Sequence, residues 1–132
     1  MAQEQDAKML KVVLMIYAVV SLVYGLGFLF VPGVLVNMGG GNPVDFYELR
    51  WSGGVIIALV IGALLVVRNP TKQGALVTTL ALASSLAGLA KLYSVLAHEY
   101  SGATWFVTLP AVILLLISAL LWWSRRRAKE IL

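Results

Sequence analysis

Four long apolar stretches separated by short polar clusters set the pattern of this chain. It runs without a charged residue from Val12 up to Asp45, from Trp51 to Val67, from Gln73 to Ala90 and from Tyr100 to Ser124. Each run can hold the roughly 20 residues that an α-helix needs to cross a bilayer. The pattern predicts an all-α integral membrane four-helix bundle, a single polytopic domain over residues 1–132 with spans at about 12–31, 43–67, 73–96 and 102–124.

The punctuation between the runs fits this division. Val31-Pro32-Gly33 breaks the first span, and Val34 to Met38 reads as a short segment in the membrane interface, followed by glycines that form a turn. Asn42-Pro43-Val44-Asp45 reads as a helix start, with asparagine at the N-cap, proline in the first turn and an acid near the exposed amides. Helix two therefore begins before the charges of DFYELRWSGG. It stops at Arg68-Asn69-Pro70, because the residue before a proline is pushed out of helical geometry. Trp122 and Trp123 form an interfacial belt ahead of the basic tail RRRAK.

Composition strengthens the membrane reading. The chain is 61% hydrophobic and 12% charged, with a mean hydropathy of +0.92, more apolar surface than a soluble domain of this size can cover. Lys8, Lys11, Arg68, Lys72, Arg125, Arg126, Arg127 and Lys129 fall on the side that carries both termini, leaving Arg50 and Lys91 for the other. This asymmetry predicts a plasma (inner) membrane protein with cytoplasmic termini. The net charge of +4 is then a topology signal with some attraction to anionic lipid, and it calls for no nucleic-acid partner. The absence of cysteine excludes disulfides, a thiol nucleophile and thiolate metal sites. Four spans without internal duplication give no sign of an inverted-repeat transporter.

The candidate chemistry lies in the few polar residues inside the spans. Gly54, Ala58 and Gly62 recur every fourth residue and predict a helix-packing stripe on helix two. Glu48 and Arg50 stand about 200° apart around that helix and face different neighbours. Lys91 shares a face of helix three with Ser84, Ala87, Gly88, Ser94 and His98, small and polar company that turns it toward the bundle. One arrangement pairs Lys91 with Glu48 or Asp45, with Arg50 reaching Glu99 or a loop carbonyl. In the other, Tyr24, Glu48, Arg50, Lys91, Ser94, Trp105 and Thr108 line an outward-facing pocket with an apolar floor. Tyr17, Ser21, Tyr24 and Phe28 form a stripe on helix one, a pattern that core packing also produces. His98, the only histidine, has no second ligand at helical spacing, so no metal site is expected. No serine stands in a nucleophile-elbow pattern, and GGGN lacks the strand and helix of a phosphate loop.

ELRWSGGVIIALVIGALLV, preceded by FLFVPGVLVNMG, resembles small bacterial four-helix membrane proteins of the DoxX-like kind and a related family of unknown function. In those proteins an acid, an arginine and a double glycine open the second helix; here these are Glu48, Arg50, Gly53 and Gly54. The resemblance implies a bacterial inner-membrane bundle, sometimes beside a membrane oxidoreductase, and supplies no catalytic residue. Small multidrug exporters are similar in size, but the acid they carry deep in helix one is absent here.

Together these features point to a small binding or accessory protein of the bilayer. It would hold an amphipathic, lipid- or quinone-like ligand, or pack with a membrane-protein partner or a second copy. A proton-coupled transporter or channel working through Glu48 is the alternative, and a lipid- or quinone-linked enzyme is third. No cofactor is specified by the sequence, and no catalytic residue is assigned.

Overall fold

The computed structural model describes the backbone of residues 2–40, 46–99, 103 and 105–132, and the side chains of all of these except residues 2, 3 and 46–48. Among the described residues there are five helices and no strand: α1 (Ala2–Phe30), α2 (Pro32–Gly39), α3 (Phe46–Arg68), α4 (Gly74–Leu96) and α5 (Trp105–Arg127). Four of them, α1, α3, α4 and α5, are long and apolar enough to cross a membrane. The chain is an all-α, multi-pass membrane protein.

The helix limits follow from local chemistry. At Val31 the backbone leaves helical geometry, with φ −133° and ψ 52°, and Pro32 has no N–H for the carbonyl four residues earlier. The chain restarts at once as α2, which ends on Gly40 in the left-handed conformation at φ 67°. At the end of α4, His98 occupies the left-handed region at φ 57°. Its N–H donates to Val95 O and that of Glu99 to Ser94 O, the double hydrogen bond of a Schellman turn.

α1 begins well before Val12. Residues 2–11 are polar overall but rich in strong helix formers, and their helix is held in place by Leu10, fully buried, and by an ion pair of 3.0 Å between Asp6 and Arg127. Hydropathy finds the apolar span of α1, whereas the helix itself starts at Ala2.

The bundle is assembled from two helical hairpins. α1 packs most extensively on α3, and α4 on α5; the hairpins meet through α1 with α5 and, more sparsely, α3 with α4. The end that carries both termini is tightly filled, with Leu10, Leu14, Ala63, Val66, Val77, Leu80 and Leu121 fully buried. The C-terminal turn seals this end, where Lys72 N–H donates to Ile131 O at 2.9 Å. At the opposite end, Ala103 N–H donates to Gly39 O at 2.9 Å and ties the segment before α5 to α2.

The expected packing stripe needs correction. Gly54 and Ala58 are exposed, and a Cβ on Gly54 would meet nothing within 4 Å. Gly62 alone of the three faces a neighbour, its Cβ position lying 3.4 Å from Leu76 of α4. The close approach is at Gly53, where a Cβ would stand 2.7 Å from Gly25 O and 2.7 Å from Leu29 N. Successive helical residues point about 100° apart, so the two glycines of the pair face different surroundings.

Candidate functional site

Between the two hairpins lies a cavity of about 120 Å³ with contributions from all four long helices. α1 supplies Tyr17, Val20, Ser21, Tyr24 and Phe28, successive positions on one helical face. Ile56 and Leu59 of α3, Ala83, Ser84, Ala87 and Lys91 of α4, and Pro110, Ile113 and Leu114 of α5 complete the wall. The cavity is therefore mostly apolar, with three kinds of polar group around it: phenols, serine hydroxyls and one ammonium.

These polar groups differ in how far they are already engaged. Ser84 Oγ donates to Leu80 O at 3.0 Å, one turn back, and keeps only acceptor capacity. Tyr17 and Ser21 are buried one turn apart on α1, and the ring of Tyr24 lies 6.3 Å from that of Phe28 at 36°. Pro110 adds a backbone feature: having no N–H, it leaves the Phe106 carbonyl without its normal helical donor. Lys91 has neither a hydrogen bond nor an ion pair with any described residue.

Lys91 also lines a second, shallower depression with Ser94, Glu99 and Val107. It thus borders two spaces, the apolar cavity and this more open vestibule. The lysine chain is amphipathic, so its methylenes can lie against the wall while the ammonium reaches either space.

The structure sorts the sequence-derived candidates. Tyr24 and Lys91 come together in the cavity, and Ser94 joins Lys91 in the vestibule. Arg50 is diverted: its guanidinium donates to Leu29 O at 2.7 Å and satisfies one of the last carbonyls of α1. The expectation for Arg50 is Glu99 or a loop carbonyl; instead it takes a carbonyl in the last turn of helix α1. Trp105 is exposed and makes an edge-on contact with Phe106 at 5.7 Å, so it is not part of the cavity wall. Thr108 is likewise absent from the wall. Asn42, Pro43 and Asp45 lie outside the described residues, as does the side chain of Glu48, and with them the expected helix start and the pairing of Lys91 with an acid of helix two.

Comparison with known protein families, curated proteins and solved structures finds no match for this chain. The chemistry of the site therefore rests on its own residues. No group of three or more potential metal ligands occurs among the described residues.

Pro110 is a wall residue that the sequence pattern does not single out, and Ser21 is visible there only as a member of the helix-one stripe. A proline inside an apolar run is a signal for a cavity or a kink, since the helix must accommodate both the missing donor and the ring. Ser21 sits in a stripe whose spacing is equally that of core packing.

The remaining polar groups near the terminal end are consumed by structure. Ser85 Oγ donates to Ala81 O at 2.9 Å, bonds the hydroxyl of Ser118 on α5, and accepts from Trp122 Nε1 at 3.2 Å. Thr79 donates to Ala75 O at 2.9 Å, and Thr78 accepts from Arg125 Nε at 2.6 Å. The Ser85–Ser118, Trp122–Ser85 and Arg125–Thr78 bonds fasten α5 to α4, the other two turn hydroxyls back onto the α4 backbone, and all of them use hydroxyls that a polar path through this half would require.

Proposed function

We propose that this protein is a binding protein of the bilayer, whose inter-hairpin cavity holds the head of an amphipathic molecule against Lys91. The observation that carries the proposal is Lys91 itself, an ionisable group inside a membrane-spanning helix that faces a cavity and has no described partner. Such residues are rare because burying a charge in a bilayer is costly, and they commonly serve a ligand or pathway.

The size of the space limits the ligand. At about 120 Å³ the cavity is somewhat smaller than the roughly 150 Å³ one that holds a benzene ring, so it admits at most one small ring or compact head, with any tail running between helices. A carbonyl or acid group on that head would accept from the Lys91 ammonium, with Tyr24 as a second donor. Quinone-like rings and the heads of single-ring lipids fit this description.

The transporter alternative is less well supported. Below the cavity, Leu10, Leu14, Val66, Val77, Leu80 and Leu121 form a fully buried apolar plug, and the nearby hydroxyls are already bonded. On the distribution of lysine and arginine, the proposal puts both termini in the cytoplasm, with the vestibule opening to the other side of a bacterial inner membrane. The DoxX-like resemblance rests on ELRWSGG and adds no residue role.

The test is titration of the detergent-solubilised protein with a quinone carrying a short isoprenoid tail, followed by intrinsic fluorescence and by native mass spectrometry. One lost hydrogen bond to a charged donor is worth about 1.5–3 kcal/mol, so Lys91→Met is expected to weaken binding at least about tenfold. Tyr24→Phe should weaken it less. Equal affinity in wild type and Lys91→Met would overturn the proposal, and quinone-dependent flux across proteoliposomes would favour transport.

A further inference from the structure

A second, shallow and open surface lies along α1 and shares only Val20 with the cavity. It is a trough of about 510 Å³ lined by Lys8, Lys11, Val12, Met15, Ile16, Val19 and Val20. We infer that this trough is a seat for one anionic phospholipid of the leaflet on the terminal side, its phosphate held by Lys8 and Lys11 and one acyl chain lying along Val12 to Val20.

Geometry supports this occupant. At 1.5 Å per residue, Lys11 to Val20 covers about 14 Å, close to the ~15 Å depth of one leaflet of hydrocarbon. The two lysines are three residues apart, about 60° around the helix, and so converge on one head group while the apolar residues continue below on the same side. Met15, Ile16 and Val19 are 42%, 45% and 58% exposed, so none of the described residues fills the trough.

The charges around it are consistent with an anion. Asp6 faces the opposite side of α1 and is engaged by Arg127 at 3.0 Å, so it does not neutralise the lysines. Glu4 shares their face, one turn beyond Lys8, and forms no ion pair with it. A second copy of the chain is a poorer occupant, because a twofold contact along this face would set Lys8 and Lys11 against their own counterparts. A zwitterionic lipid offers the same chain but cancels the attraction at its head.

The experiment is lipid exchange on the full-length protein. Delipidated protein is incubated with equimolar phosphatidylglycerol and phosphatidylcholine of identical chains, and retained lipid is counted by native mass spectrometry. Each lysine near the membrane surface contributes about fivefold to the preference for the anionic lipid. The expectation is at least a fivefold excess of phosphatidylglycerol in wild type, falling to near parity in Lys8→Gln/Lys11→Gln. Lys72→Gln, at the same end of the bundle but off the trough, should keep the preference, and Glu4→Gln should increase it. Val19→Trp, which fills the trough, should lower retention of both lipids. A preference that survives the double substitution, an equal loss in Lys72→Gln, or a dimer that excludes lipid from α1 would each overturn the assignment. None of these outcomes bears on quinone binding at Lys91.

Discussion

Gly53 and Gly54 are adjacent and chemically identical, yet they have opposite consequences for stability. A methyl on Gly53 would collide with the main chain of α1 at Gly25 and Leu29, and no rotamer change can move those atoms. Gly53→Ala is therefore expected to lower stability by about 2–3 kcal/mol, whereas Gly54→Ala, with open space around it, gains helix propensity worth up to about 1 kcal/mol. Thermal melts of the two variants in the same detergent, moving in opposite directions, would check both. His98 presents the reverse case. It holds the left-handed position of a Schellman turn that glycine usually occupies, so His98→Gly should stabilise by about 0.5–1 kcal/mol. A lower melting temperature in His98→Gly would contradict the strain argument.

Among the elements, the junction of α1 and α3 is the most closely built. Arg50 closes the end of α1 by bonding Leu29 O, and Gly53, one turn further along α3, lets the two backbones touch at the same level. The arginine adds charge where the helix dipole is negative. Arg50→Gln should thus destabilise the bundle by about 1–2 kcal/mol, with hydrogen exchange rising first in the last turn of α1. If exchange rose instead around the cavity, Arg50 would belong to the ligand site after all.

This junction also shows how far the sequence could be read. The positions of α3, α4 and α5 followed from charge-free runs and prolines, because length and hydropathy decide what can cross a bilayer. A spacing of four picked Gly54, Ala58 and Gly62, but spacing cannot say which face of a helix meets a partner. The seam goes to Gly53, Val60, Ala63 and Val66, where neighbouring helices supply the shape. For Arg50 the sequence left a pocket rim and a bond to Glu99 or a loop carbonyl both open, because which carbonyl of another helix lies within reach is recorded by no side-chain pattern. Tyr24 and Lys91 were legible as a pair because depth along two helices can be counted, while Pro110 and Ser21 needed the assembled bundle to appear as walls of the same space.

At the scale of the whole molecule, stability and binding are expected to conflict at Lys91. The lysine borders apolar walls and forms no ion pair with a described residue, so Lys91→Met should raise the melting temperature, by about 1–2 kcal/mol in stability, while it weakens ligand binding. A buried ion pair with an acid would produce the opposite result, since removing one partner strands the other. The same variant therefore separates a structural lysine from a binding one.

The division into two hairpins bears finally on the order in which the protein comes together. Most contacts join helices that are consecutive spans, so each hairpin can form as soon as its own pair has entered the membrane. The cavity has no existence at that stage, because its walls belong to both halves. It is created by their docking, and any molecule it encloses must arrive before the halves meet or slip between them afterwards. If the site is entered after docking, the sparse α3–α4 contact is the place where the two halves part most easily.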